Sequence, residues 1–311
     1  MPTPLWFWIA FHIGVFIALA VDLVSFKLRD RDLSVAAAVR RSLIWVVLSL
    51  AFNAVVWHWR GADAGVDFFT SYLIEYSLSI DNIFVFVLIF GSFGVPQKAQ
   101  HRVLVWGILG ALVMRGTMIW LGVTLVNRFH WIIYVFGVFL LVTAIRMFFV
   151  SDTERDFSNT WLMRVSRKSP LVTNEFRDEH FTARVNGRFV ITPLVLVLVM
   201  VDVMDLVFAV DSIPAVFAIT TDTFIVYTSN ICAILGLRSL YFLLAKLVDR
   251  FVYLKTGLAV VLAFVGLKMI TSKFFEVPNL ISLGVIVLIL TVTIVASMAA
   301  TPRGQRRAAR K

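Results

Sequence analysis

Oxygen-bearing side chains interrupt two long apolar runs of the chain at corresponding positions. The first run, residues 72–90, reads YLIEYSLSIDNIFVFVLIF, and the second, residues 202–219, reads DVMDLVFAVDSIPAVFAI. The side chains are Glu75, Asp81 and Asn82 in the first run and Asp202, Asp205, Asp211 and Ser212 in the second. A shift of 130 positions superimposes the first three, in order, on Asp205, Asp211 and Ser212. We interpret these seven residues as a candidate metal site.

Carboxylate, amide and hydroxyl oxygens are hard ligands, which suit Mg, Ca or Mn, whereas Zn and Cu prefer His and Cys. Neither run contains a His or a Cys. Met204 offers a thioether that would favour Mn over Mg, although an isolated Met in an apolar helix is more often a packing residue. The ligand types therefore predict a site for a divalent cation, with Mn as the leading candidate.

The charges in these runs predict how the cation would be exchanged. An ionised side chain at the centre of a membrane helix costs about 2.5–3.5 kcal/mol on insertion scales, so each needs a partner. We count five buried acids against two deep bases, Arg115 and Arg238. A divalent cation would remove two of the three excess negative charges and a proton the third, so we expect cation and protons to alternate. In the alternative interpretation, the acids only pair helices.

Helix geometry limits which side chains can share one ion. Glu75 and Asp81 are six residues apart and do not share a helix face, whereas Asp202 and Asp205 do. We therefore expect Asp81 and Asp211 to approach each other across a pseudo-two-fold axis. Pro214 removes a backbone hydrogen bond next to Asp211, so we expect the second run to be broken there.

The composition identifies the environment of these runs as lipid. Of 311 residues, 60% are hydrophobic and 15% charged, which excludes a soluble globular enzyme and a disordered protein. The net charge of +10 does not indicate nucleic-acid binding, because the basic residues lie between apolar runs. The N-terminal apolar segment, near residues 5–24, lacks the basic flank and the small-residue cleavage site of a signal peptide. Apolar runs predict an all-α, polytopic membrane protein with nine transmembrane helices near 5–24, 42–59, 68–94, 103–126, 131–150, 190–219, 224–247, 256–272 and 280–299.

Lysine and arginine predict the topology. The odd-numbered connections and the C-terminal tail carry 21 of them and the even-numbered connections 3, which places the N-terminus outside and the C-terminus in the cytoplasm. The two acidic runs then cross in opposite directions and begin an inverted repeat, the architecture of many secondary transporters. The predicted organisation is two N-terminal helices (1–67), a first three-helix unit (68–150), a cytoplasmic loop (151–189), a second three-helix unit (190–272), a C-terminal helix (273–299) and a basic tail (300–311).

Two local features complete this interpretation. Alternating residues around Asn186-Gly187 predict a short cytoplasmic hairpin within 181–190. The chain contains one cysteine, Cys232, which we expect to pack, and no HExxH, GxSxG or Walker A pattern. We therefore expect a transporter that is not an enzyme and has no bound cofactor, with a divalent cation, protons and the lipid bilayer as its partners. A membrane scaffold or assembly factor is the competing class, and a membrane-embedded hydrolase is disfavoured.

Four stretches resemble the TerC family of integral membrane proteins, and in particular its Alx-like members. They are YLIEYSLSIDNIFVF (72–86), FAVDSIPAVFAIT (208–220), TSNICAILGLRSLYF (228–242) and LKM (267–269). The resemblance covers about 5–299 and implies a bacterial inner-membrane protein of the LysE-like transporter type, associated with manganese export and tellurium resistance. Its acidic motif implies metal-binding roles for Glu75, Asp81, Asn82, Asp205, Asp211 and Ser212.

The chain departs from the family pattern at two positions. Asp202 stands where members carry Glu, and Tyr76 stands where a Lys is common. The association with tellurium does not make tellurite the substrate, because an oxyanion would require arginine clusters or helix N-termini, and this site is acidic.

Overall fold

The described part of the chain is helical apart from one short hairpin. The structure is a computed structural model, and it describes residues 3–28, 35–129, 131–149, 180–185, 188–245, 253–275 and 277–300. The ten helices in these ranges are α1 (Leu5–Leu28), α2 (Val35–Arg60), α3 (Ala62–Phe93), α4 (Gln97–Arg128), α5 (Ile132–Phe149), α6 (Pro193–Phe217), α7 (Thr223–Leu235), α8 (Leu237–Leu244), α9 (Leu254–Thr271) and α10 (Asn279–Ala300). Most of the predicted loop and the basic tail lie outside the described residues.

Six of these helices, α1, α2, α3, α4, α6 and α10, are long and apolar enough to cross a bilayer. Helices α7 and α8 are bent by 42° across Gly236, and the pair counts as a seventh span if the two helices act as one. Helices α5 and α9 are apolar but have 18 residues each, which corresponds to about 27 Å of helix against a hydrocarbon core of about 30 Å. The protein is therefore a multi-pass membrane protein with six or seven candidate spans.

The predicted hairpin is confirmed. Strands β1 (Thr182–Val185) and β2 (Arg188–Ile191) pair antiparallel, and residues 186–187, where we predicted the turn, lie outside the described residues. Because β2 extends to Ile191, α6 begins at Pro193 rather than at the predicted residue 190. The hairpin contacts the start of α4, where the Arg102 guanidinium lies 5.4 Å from the centre of the Phe181 ring.

The predicted break in the second acidic run is wrong. Helix α6 continues through Pro214 and ends three residues later, at Phe217. Pro214 lies in the last turn, so its missing N–H removes the helical partner of the Val210 carbonyl but the chain stays helical to Phe217. The sharp bend lies instead at Gly236, between α7 and α8.

Helix α7 begins at a cap outside the apolar segments. The Asp222 carboxylate accepts hydrogen bonds from the backbone N–H groups of Phe224 and Ile225 and from the Arg60 guanidinium at 2.6 Å. Partial burial raises the pKa of Asp222, but these hydrogen bonds and the Arg60 charge outweigh it and hold the pKa below the ordinary value of 3.8. The cap therefore joins the end of α2 to the start of α7.

Helix α3 lies at the centre of the bundle and packs against α2, α6, α7 and α8. Helix α4 packs mainly against α6, and α5 mainly against α9. At the crossing of α5 and α9, a Cβ atom on Gly137 would lie 2.9 Å from the Gly266 carbonyl oxygen, and one on Gly266 2.8 Å from the Gly137 carbonyl oxygen. Only glycine allows the two backbones to approach this closely.

Candidate functional site

The candidate site is organised by the guanidinium of Arg115, which projects from α4 into the centre of the bundle. Its Nε and Nη2 donate to the two carboxylate oxygens of Asp205 on α6, at 3.0 and 2.8 Å. Its Nη1 donates to Glu75 Oε1 on α3 and to Asn230 Oδ1 on α7, the latter at 3.3 Å. One arginine thus connects four helices.

The ion pairs of Arg115 with Glu75 and Asp205 are buried inside the protein. The side chains of Arg115 and Glu75 are completely buried, and that of Asp205 is 5% exposed. A bidentate arginine–carboxylate pair is the geometry in which a buried ion pair best offsets the loss of hydration. The first and second acidic runs therefore meet here through Glu75 and Asp205, the two positions that the 130-residue shift aligns.

A third carboxylate, Asp202, lies one turn before Asp205 on α6 and faces α4. The glycines of α4 make room for it, since a Cβ atom on Gly110 would lie 3.0 Å from Asp202 Oδ2. A cavity of about 20 Å³ is lined by both Asp202 and Asp205, which is enough for one water molecule or one ion. Asp202 Oδ1 and Glu75 Oε2 are buried and have no hydrogen-bond partner among the described residues.

The amide and the hydroxyl of the predicted site lie on the faces that carry these acids. Asn82 follows Glu75 by seven residues and Ser212 follows Asp205 by seven, a spacing that returns to the same side of a helix. Asn82 and Ser212 are 3% and 2% exposed, and the Ser212 hydroxyl has no hydrogen-bond partner in the part of the chain that the structure describes. Both are therefore buried along the two helices that carry the acids.

The remaining pair of predicted ligands is placed differently. Asp211 is half-buried and accepts a hydrogen bond from the Thr143 hydroxyl of α5 at 3.3 Å. It lies about 9 Å further along α6 than Asp205, given the rise of a helix, so these two carboxylates cannot bind the same ion directly. Asp81 lies on α3, and its side chain is outside the described part of the structure. Its predicted approach to Asp211 therefore stays a prediction.

The arrangement is a set of oxygen ligands without a preformed cage. Among the described residues, no three side chains of His, Cys, Asp or Glu converge in a way that could hold a metal ion. A cation at Asp202 and Asp205 would have to recruit further oxygens, such as those of Glu75 or of water. Asp202 Oδ1 and Glu75 Oε2 accept no hydrogen bond from the described residues, so these two oxygens are available to a ligand.

Sequence comparison identifies the family of the chain. The model of the Integral membrane protein TerC family matches residues 60–305. The chain belongs to the TerC family. This TerC chain is 46% identical over 302 residues to the "Putative membrane-bound redox modulator Alx" of Escherichia coli (strain K12) and to that of Salmonella typhi, with 94% of each chain covered. It is 48% identical over 291 residues to "Uncharacterized membrane protein STKORF319" of Myxococcus xanthus, covering 94% of this chain and 91% of the relative. No solved structure matches it.

These relatives confirm the resemblance to the Alx-like members of the TerC family, and those named here come from Gram-negative bacteria. Residues 60–305, which the family model matches, include both acidic runs and Arg115. The N-terminal helix α1 lies outside that range.

The structure corrects the charge count of the sequence analysis. Arg238 of α8 forms an ion pair with Asp22 of α1, an acid that the count omitted. Asp22 interrupts an apolar run as the other acids do, and this signal was available in the sequence. Among the described side chains, Arg115 is paired with acids of both runs, Glu75 and Asp205.

Proposed function

We propose that this TerC protein exports divalent metal cations, with Mn(II) as the best-suited substrate, in exchange for protons. The observation that carries the proposal is the meeting of Glu75 and Asp205 in the centre of the bundle, with Asp202 beside them and carboxylate oxygens left without protein donors. Ionisable groups in that position are costly and mark ion pathways in membrane proteins.

The ligand set favours a hard or borderline cation. The candidate ligands of the two runs are oxygens, which suit Mn, Mg and Ca. Met204 packs against the core on the same helix, and its thioether is the softest atom offered by the runs, which favours Mn over the other two. We keep all seven predicted ligands, including Asp81 and Asp211, as the residues that bind the cation along its path.

The Arg115 guanidinium competes with a bound cation for the oxygens of Glu75 and Asp205. Its guanidinium occupies one oxygen of Glu75 and both oxygens of Asp205. A cation can bind these oxygens only if the arginine yields some of them, and protons can replace the cation when it leaves. Metal and protons then compete for the same carboxylates, which couples their movements.

An inverted repeat of two three-helix units would move this site between the two sides of the membrane. The units are α3 to α5 and α6 to α9, and the packing of α3 on α7 has its counterpart in the packing of α4 on α6. Gly137 and Gly266 face each other where the third helices of the two units cross. We propose that α5 and α9 also span the membrane, giving nine spans of LysE-like type, and that the units rock against each other.

The proposed location is the bacterial inner membrane, with the N-terminus outside and the C-terminus in the cytoplasm. The bias of lysine and arginine supports this orientation, and the relatives from Gram-negative bacteria support the membrane. In this topology, the hairpin at the start of α6 is cytoplasmic.

A scaffold without transport is the competing proposal, and the ion pairs Arg115–Glu75 and Arg238–Asp22 favour it, since they join helices. Thiol redox chemistry is disfavoured for this chain despite the name of its Alx relatives. The single cysteine, Cys232, is buried and cannot form an internal disulfide. An influence on redox balance would instead follow from the metal that is moved.

Flux through the purified protein in liposomes separates the two proposals. A transporter should take up Mn in preference to Mg and Ca, and Asp81→Asn and Asp211→Asn should each abolish uptake while the protein still folds and inserts. Asp63→Asn is the matched control, because Asp63 lies in the first turn of α3, far along the helix from the predicted ligands. Wild-type flux in either predicted-ligand variant would remove that acid from the mechanism, and no flux in the wild type would favour the scaffold.

A further inference from the structure

Helix α3 carries a line of oxygen-bearing side chains on the face that contains Glu75. Ser71 and Ser79 stand four residues before and four residues after Glu75, and Asn82 follows Ser79 by three. At about 100° per residue, these four positions fall within an arc of about 80°. The line is about 17 Å long and so covers more than half of a hydrocarbon core of about 30 Å.

Three oxygens of this line are buried without a donor or acceptor nearby. The side chains of Ser71, Glu75 and Ser79 are completely buried. The hydroxyls of both serines and Glu75 Oε2 have no hydrogen-bond partner in the described part of the chain. A buried polar atom without a partner costs free energy, so three of them on successive turns of one helix require an explanation.

Other hydroxyls of α3 show how a helix normally satisfies such groups. Ser77 donates to the Leu73 carbonyl at 2.6 Å, and Thr70 donates to the Val66 carbonyl at 2.7 Å. This bond to the carbonyl four residues earlier needs no neighbouring helix. Ser71 and Ser79 do not make it, so their hydroxyl oxygens are available to a ligand.

The line leads to the small cavity beside Asp202. Phe86, which follows Ser79 by seven residues and so lies on the same face of α3, lines that cavity together with Asp202. Glu75, in the middle of the line, shares a guanidinium with Asp205. The two serines therefore lie on the side of α3 that faces the acids of the second run.

A divalent cation at Glu75 needs more oxygens than the acids supply. Hard cations of this kind take about six or more ligands, and no three side chains of His, Cys, Asp or Glu converge among the described residues. A serine hydroxyl offers lone pairs and leaves the charge of the site unchanged. The 130-residue shift places Val201 and Ala209 on the two serines, so the second run has no hydroxyl at these positions.

We propose that Ser71 and Ser79 bind the transported cation, with their hydroxyl oxygens on either side of Glu75 Oε2. This inference rests on the proposed function and extends its ligand set by two residues. Cβ atoms four residues apart on a helix lie about 5–6 Å from each other, so a cation can pass from one hydroxyl to the carboxylate and on to the next hydroxyl. The hydroxyls replace part of its hydration shell during this passage. Close helix packing also favours small residues, but alanine would serve that purpose without burying a hydroxyl.

The test is equilibrium binding of Mn(II) to the purified full chain in detergent, measured by the loss of the EPR signal of free Mn(II). Ser71→Ala and Ser79→Ala should each raise the Mn concentration for half-maximal binding by roughly tenfold, the size expected when a supporting group of a metal site is removed. Ser77→Ala is the matched control, since it removes a hydroxyl of the same helix that is already hydrogen bonded, and should leave binding unchanged. Because alanine keeps the side chain small, the midpoint of SDS unfolding should not fall in Ser71→Ala or Ser79→Ala.

A parallel measurement of Mn flux in liposomes separates this inference from the proposed function. Wild-type Mn affinity in both serine variants would overturn the inference, while flux through the wild type would still support transport. An equal loss of affinity in Ser77→Ala, or a loss that accompanies a lowered unfolding midpoint, would also overturn it, since the effect would then come from the packing of α3. Binding that depends on the two serines without any flux would support the inference and contradict transport. A wild type that binds no Mn would contradict both.

Discussion

Replacing Arg115 by Met tests whether the ion pairs at the centre of the bundle stabilise the protein. The substitution keeps a long side chain but leaves the Glu75 and Asp205 carboxylates and the Asn230 amide oxygen without their shared donor. Removing one partner of a buried ion pair typically costs about 3–5 kcal/mol, because the remaining charge is buried without compensation. We expect a loss of that size in the free energy of unfolding, measured by SDS titration in mixed micelles.

The same argument predicts a recovery. Adding Glu75→Gln and Asp205→Asn to Arg115→Met removes the uncompensated charges, so most of the lost stability should return while transport stays absent. Arg128→Met, at the exposed end of the same helix, is the control and should change stability by less than about 1 kcal/mol. The reasoning is refuted if Arg115→Met is as mild as this control, or if the triple variant is no more stable than Arg115→Met alone.

Three further predictions concern the frame around the site. Asp222→Ala should cost about 1 kcal/mol of unfolding free energy at pH 7 through the lost cap. Because the pKa of Asp222 is depressed in the folded state, the carboxylate stabilises the fold at pH values above its unfolded pKa. The difference in melting temperature from wild type should therefore vanish as the pH falls through the folded pKa, below 3.8. Gly266→Ala should destabilise by about 1–3 kcal/mol in the same SDS titration, whereas Gly284→Ala, whose Cβ meets open space, should not. In a cysteine-free background, cysteines at Ser158 and Ala64 should label from opposite sides of the membrane; labelling from one side would remove the inverted repeat.

The sequence predicted the six long apolar helices because apolar length specifies a membrane helix. The other three predicted spans correspond to the bent pair α7 and α8 and to the 18-residue helices α5 and α9. The pairing of β1 with β2 was equally predictable, since the Asn186-Gly187 signal and the alternation of the flanking residues agree. The break at Pro214 was not found, because the effect of a proline depends on how soon the helix ends, and helix ends are set by packing. The bend at Gly236 carried no comparable signal, since glycine in an apolar helix has several uses.

The site was predictable in part. The repeat aligned Glu75 with Asp205, and the structure places both on one guanidinium. Sequence arithmetic treated Arg115 and Arg238 as equivalent bases, yet Arg238 pairs with Asp22 of α1. The partner of a buried charge depends on which helices become neighbours, and neither periodicity nor the repeat contains that information. The separation of Asp205 from Asp211 was predictable, because the helical spacing already excluded one ion bound by both residues of a single helix.

The most direct test of the central claim is the movement of Mn in liposomes when only a pH gradient is imposed, with equal Mn on both sides and the membrane potential clamped. Exchange of metal for protons at shared carboxylates predicts that Mn accumulates in the more acidic compartment, because protons leaving that compartment drive Mn into it. Asp205→Asn should weaken the dependence on the pH gradient. If Mn moves at the same rate with the gradient present, absent or inverted, the protein is a channel or uniporter and the proposed coupling is wrong.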